Sequence, residues 1–361
     1  MSVMPYPVIN LQGLLSNPNV ALEAARAGTL DRIGSGIGAR VDARALADAR
    51  QSGLTAVNLT IGHVLGSADP RCTTADDIRA WDAFIAEHSD ALLKVHSAGD
   101  ILAAQASERV GVIYGFHNSE MLGDDAQSVA HYAALGVRVM QLSYNGRNRV
   151  GDGCMVAHDQ GLSRFGHEVL AQMQVQRVLV DLSHGSEKTG LDVLRVATRP
   201  VAISHSGCRA LADLPRNTSD AVLRQLAAKG GVLGLYGMPF LRQQGQPMAV
   251  DLLRHLEHAI KICGEDHVGI GSDGHVTTVD DLANYLHFLG QDVAQRKQAG
   301  VGAAGEREAV ALFLPDLCGP TQFQRLAELL QQRGHSSSRI EKIMGGNFLR
   351  LLREVWDAGS A

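Results

Sequence analysis

The chain has 361 residues, 45% of them hydrophobic and 20% charged, with a formal charge of −5, a balance that buries a substantial core and excludes disorder. Mildly acidic and without a Lys/Arg-rich run, it carries no electrostatic footprint for nucleic acid or an anionic membrane surface. Its length fits two ordinary domains or one large α/β unit. No apolar stretch reaches the roughly 18 residues needed to span a bilayer. The start Met1-Ser2-Val3-Met4-Pro5 lacks the basic and apolar regions of a signal peptide, so a cytoplasmic protein is expected. Five scattered cysteines, none in a CxxC pair, point to reduced thiols. The unusual count is 15 histidines in a chain only 4% aromatic, and their positions decide what they mean.

In chain order, short aliphatic and β-branched runs fall at residues 8–12, 56–61, 110–116, 138–143, 178–182, 201–204, 231–236 and 267–272. They are near-continuously apolar, as strands covered on both faces are. Amphipathic patterns at 76–88, 125–135, 165–176, 187–196, 219–229 and 250–263 predict helices between them. Eight βα units imply a (β/α)8 TIM barrel, an α/β fold. Beyond the eighth run, helical periodicity at 279–298, 321–333, 336–344 and 347–356 predicts a C-terminal helical extension over residues 279–361 of one domain, 1–361. The Gly/Ala-rich stretch 299–305 reads as a loop, and no run is followed by a phosphate-binding fingerprint.

Barrel enzymes work at the C-terminal ends of their strands. The residues ending the eight runs are Gln12, His63, His117, Tyr144, His184, His205, Tyr236 and Asp273. Four of them are histidines that would converge on one mouth. Neutral imidazole is a common zinc ligand, and catalytic zinc sites keep three protein ligands with one position open. His117, His184 and His205 can supply those three, and Asp273 can take a proton from the attacking water. His63 is as plausible a pocket hydrogen-bonder as a ligand. Arg216, in Leu214-Pro215-Arg216-Asn217-Thr218, can hold a substrate carboxylate with its guanidinium fork. Arg147 and Arg149 are weaker candidates of that kind, and Asp152 and Cys154 in Gly151-Asp152-Gly153-Cys154 read most simply as a turn. His158, His167, His255, His258, His287 and His335 fall in predicted loops and helices and are assigned solvated or packing roles.

Several of these segments, Val180-Asp181-Leu182-Ser183-His184, Ile203-Ser204-His205-Ser206, Arg216-Asn217, Gly269-Ile270-Gly271-Ser272-Asp273-Gly274 and Gly345-Gly346-Asn347-Phe348-Leu349-Arg350, resemble the membrane (renal) dipeptidase family of zinc peptidases. The match runs in order from about the third run to the C-terminus. The resemblance implies an amidohydrolase-type barrel with two zinc ions that cleaves dipeptides, often with a D-residue at the C-terminal position, and a homodimer. It matches His184 and His205 to two ligands of the second zinc, Asp273 to the acid/base Asp, and Arg216 to the Arg that holds the substrate carboxylate.

Three positions depart from the family pattern. The first strand's His-x-Asp pair, which binds the first zinc, is replaced in Asn10-Leu11-Gln12. The metal-bridging Glu aligns with His117, whose single free nitrogen cannot bridge two ions. The oxyanion-stabilising His aligns with Tyr144, in Leu142-Ser143-Tyr144-Asn145, whose phenol can still donate that hydrogen bond. The expectation is a one-zinc amide hydrolase acting on a dipeptide or small N-acyl amino acid; two zinc ions, or another divalent metal, are the alternatives. His117, His184 and His205 hold the ion, Asp273 is the base, Tyr144 polarises the carbonyl, and Arg216, His63 and Asn145 bind substrate. The competing reading is a non-hydrolytic barrel, acting as a lyase, tailoring enzyme or binding protein.

Overall fold

The computed structural model describes residues 4–26, 41–298, 300 and 302–357; Met1, Ser2 and Val3, and Ala299 and Val301 of the Gly/Ala-rich stretch, lie outside the described residues. Among the described residues, nine strands form one parallel sheet: β1 (Ile9–Asn10), β2 (Ala56–Thr60), β3 (Leu92–Lys94), β4 (Val110–Phe116), β5 (Val137–Gln141), β6 (Leu179–Asp181), β7 (Ala202–Ser206), β8 (Val232–Leu235) and β9 (Val268–Ile270). Eight of them close into a ring. β2 pairs directly with β4 from Ala56↔Gly111 to Thr60↔Gly115, and Asn10↔Ile270 joins β1 to β9. This is the expected (β/α)8 barrel. The extra strand, β3, lies beside only the first residues of β4, with Leu92 opposite Val110.

Helices Pro70–Glu87, Ser128–Ala134, Arg164–Val175, Glu187–Val196, Asp220–Ala228 and Ala249–Cys263 cover the barrel where the amphipathic patterns put them. Their starts follow from local chemistry. Ser163, Ser186 and Ser219 each accept a hydrogen bond from the backbone N–H three residues on, satisfying a donor the helix leaves open. No helix among the described residues is long and apolar enough to cross a membrane.

Alternation along the strands sorts side chains into two layers. Ala56, Ile113, Val139, Leu179, Ala202 and Val232 join Phe348 in one buried cluster inside the ring, with Val139 opposite Leu179 and Ala202 opposite Val232. Val57, Val112, Met140, Val180, Ile203 and Leu233 pack outward against the helices. One step higher the interior turns polar, with Asn58, Gln141, Asp181 and Ser204 all buried. Gly234 and Gly271 make room there, since a methyl on either would run into the Ser204 carbonyl.

The C-terminal part closes the opposite end. Helix Asn347–Trp356 follows a π turn at Lys342–Gly346 and presses Phe348 onto the bare Cα of Gly269. The Asn347 amide donates to the carbonyls of Glu265 (2.7 Å) and Val268 (2.8 Å), so the Gly-Gly-Asn tail motif is a structural lock at the entry to β9. Replacing fully buried Phe348 by Ala is expected to cost about 3–5 kcal/mol, from lost burial plus a cavity the rigid strands cannot fill; urea titration of the variant measures it.

Candidate metal centre and active site

His117 follows β4, His184 follows β6 and His205 lies on β7, and one ring nitrogen from each falls within 4.8 Å of the other two. Behind each ring, Nδ1 meets a side-chain oxygen at 2.7 Å: Thr60 Oγ1 for His117, Asn145 Oδ1 for His184 and Ser204 Oγ for His205. An amide oxygen only accepts, so His184 carries its proton on Nδ1. Ser204 donates to Asp181 Oδ2 at 2.5 Å, so it too accepts from the imidazole. In both rings Nε2 is left with a bare lone pair. Burial, reinforced by the Arg216 charge, pushes the His117 pKa down to about 3 and those of His184 and His205 well below 6.5, so all three are neutral at pH 7.

These residues fit a metal ion. The Nε2 atoms of His117 and His205 face each other at 3.3 Å. A tetrahedral zinc with Zn–N bonds of about 2.05 Å spaces adjacent ligands by roughly that distance. Inward-facing lone pairs in a dry site call for a cation between them.

Asp273 stands across the mouth at the end of β9, its backbone N–H bonded to the Gln12 carbonyl at 2.9 Å. Burial raises its carboxyl to about 7, against the pull of the Arg216 guanidinium. Asp273 and His184 both hold left-handed backbone, φ 55° and 61°, a conformation unfavourable for a side chain with a Cβ and concentrated at functional sites. The Tyr144 ring stacks on His184 with centroids 4.3 Å apart. Arg216, only 4% exposed, lies over the rings of Tyr236 and Phe240 at 5.8 Å. Tyr144, Asn145, His184, Arg216 and Asp273 share a cavity of about 220 Å³.

Of the other candidates, Cys154 stays beside the site, while His63 and Arg147 turn elsewhere. His63 is buried with Nε2 3.2 Å from Glu120 Oε2, away from the three-imidazole cluster. Arg147 is committed to the buried Asp152 and to the His158 carbonyl. Cys154 donates its thiol to Asn145 Oδ1 at 3.7 Å, and burial raises its pKa. At the first strand, Gln12 binds Thr60 and Asn58, while Asn10 exchanges two 2.8 Å hydrogen bonds with Ser272. The family's first-zinc positions therefore carry a neutral network.

Sequence reasoning missed the cavity's outer wall. Helix Leu282–Gln298 sends Tyr285, Leu289, Val293 and Arg296 into it, and Glu306 clamps Arg296 at 2.8 and 3.2 Å. The spacing of Tyr285, Leu289 and Val293 on one helical face was the available signal.

The profile described as membrane dipeptidase (peptidase family M19) matches residues 46–289. Dipeptidase tcpJ of Claviceps purpurea is 29% identical over 76% of this chain, and an uncharacterized dipeptidase of Schizosaccharomyces pombe is 31% identical over 78%. The matched regions span 58% and 62% of those longer proteins. Among solved structures, an amidohydrolase from Pseudomonas aeruginosa superposes with a TM-score of 0.78, 29% identity and 97% coverage of both chains. With the profile covering more than half of its length and the motifs in order around one mouth, the chain belongs to the membrane dipeptidase family, peptidase family M19.

Proposed function

We propose that the protein hydrolyses the amide bond of a dipeptide or a small N-acyl amino acid, with a single divalent ion, zinc by preference, held by His117, His184 and His205. The observation that carries this reading is the trio of neutral imidazoles, backed by Thr60, Asn145 and Ser204, beside a cavity that holds Arg216 and Asp273. A bound ion supplies Lewis-acid activation of water and of the amide carbonyl. The chain's own groups do the rest. Arg216 takes the substrate carboxylate on its fork. Asp273 receives a proton from the attacking water and returns it to the leaving nitrogen. Tyr144 donates its O–H to the oxygen that gains charge as the carbonyl carbon becomes tetrahedral.

A count of one ion is supported by the neutral network of Asn10, Gln12, Thr60 and Ser272, which offers no anionic ligand where the family binds its first zinc. Native mass spectrometry of protein purified without chelator and then zinc-loaded is expected to show one tightly held ion per chain; two such ions would refute that count. Turnover of D- and L-configured dipeptides and acyl amino acids by the loaded protein, lost in His184→Ala, tests the hydrolase reading. Zinc retention without any turnover would favour a non-hydrolytic tailoring role.

A further inference from the structure

The α-nitrogen of a dipeptide lies two bonds from the carbonyl carbon that is attacked, about 2.5 Å away. An α-ammonium therefore has to sit within a few ångströms of whatever surrounds that carbon. Around the three imidazoles the supporting groups are neutral: Thr60, Asn145, Ser204 and the Tyr144 phenol. The Gln12 amide is spent on Thr60 and Asn58, and Asp181 on Ser183 and Ser204. Two guanidinium groups, Arg216 and Arg296, line the same cavity and oppose a further positive charge. Three carboxylates line the cavity. Asp273 is the base, Glu306 is clamped by Arg296, and Asp292 is exposed on the outer helix.

The cavity instead offers apolar surface. Tyr285, Leu289 and Val293 recur at every fourth residue, a strip about 12 Å long at 1.5 Å per residue, and Met238, Phe240 and Leu312 line the same space.

We propose that the substrate is an N-acyl amino acid, its uncharged apolar acyl group lying along Tyr285, Leu289 and Val293 and its carboxylate on Arg216, and not a dipeptide with a free α-ammonium. The inference rests on the amide-hydrolase reading above. Water adds to the acyl carbon, the C–N bond breaks, and the proton passed through Asp273 goes to the leaving nitrogen, giving a carboxylate and a free amino acid.

The test uses a matched pair, leucyl-alanine and N-(4-methylpentanoyl)-alanine, which differ only in the α-ammonium, each with D- and L-alanine. Binding to the zinc-loaded full chain is read by calorimetry, and hydrolysis by alanine release. The acyl compound is expected to bind more tightly and to have the higher kcat/KM, by about tenfold or more. Leucyl-alanine binding as well or better overturns the proposal. So does binding of neither compound, or a loss of leucyl-alanine affinity in Asp292→Asn that identifies an ammonium partner. Preferential acyl binding without alanine release upholds the ligand class and defeats the hydrolase reading. Faster hydrolysis of leucyl-alanine does the reverse.

Discussion

Asp273→Asn is expected to lower kcat/KM by about 10²–10⁴-fold, the usual contribution of a positioned general base, while the zinc-loaded protein keeps its metal and its fold. The substitution leaves size and burial nearly unchanged, so the loss reports proton transfer. The carboxyl is raised to about 7 by burial, and only its ionised form accepts a proton. Wild-type kcat/KM therefore climbs about tenfold per pH unit on the acid side and levels off above the pKa. A nearby dication favours the carboxylate, so the midpoint in the loaded enzyme falls at or below about 7. The variant loses this limb. In the metal-free protein the sign for stability runs the other way. The native state keeps the Asp273 proton up to about pH 7, whereas the unfolded chain releases it near 3.8. Native protein thus binds more protons across that window, and this group's contribution declines as pH rises through it. Melting curves of wild type and Asp273→Asn at matched pH isolate the difference.

His205→Ala is expected to abolish tight metal binding and to reduce activity by about 10³-fold or more, because a catalytic ion contributes several kcal/mol to the transition state. His205 is fully buried, and its ring is held by a serine that Asp181 holds in turn. Ser204→Ala leaves the ring in place but without its acceptor, and metal affinity is expected to drop about 10–100-fold. Zinc titration against a competing chelator measures both. Equal effects of the two substitutions would mean that Ser204 orders the whole strand end and not one imidazole.

Most of the barrel is legible in the sequence because strands buried on both faces read as apolar runs and the helices between them carry caps. The exceptions have local causes. β3 is three residues long and includes Lys94, whose amine reaches Asp82 at 2.6 Å, so no apolar run marks it. The run at residues 8–12 marks β1 but is longer than the strand: only Ile9–Asn10 pair, and Asn10 opposite Ile270 closes the ring. At the site, strand-end position was enough to pick out the residues that meet, His117, His184, His205 and Asp273 among them, because strand ends share one mouth. That rule fails for His63, where the chain turns after β2 and the ring goes to Glu120. The supporting hydroxyls of Thr60 and Ser204 are invisible in sequence, since serine and threonine occur everywhere and only the third dimension sets them behind an imidazole. Arg296 and Glu306 are hidden for a related reason: they belong to the helical extension, and nothing local says which way it folds back.

The seal that Asn347 and Phe348 place on the barrel bears on biosynthesis. Closure needs Asn10 beside Ile270, and the interior layer stays open to water until helix Asn347–Trp356 arrives. About three-quarters of these residues must be made before the ring can close, and the helix comes later still, so the nascent barrel exposes unpaired strand edges and its apolar lumen for most of its synthesis. Final assembly is thus a late step, and the half-built ring is the species that chaperones must shield.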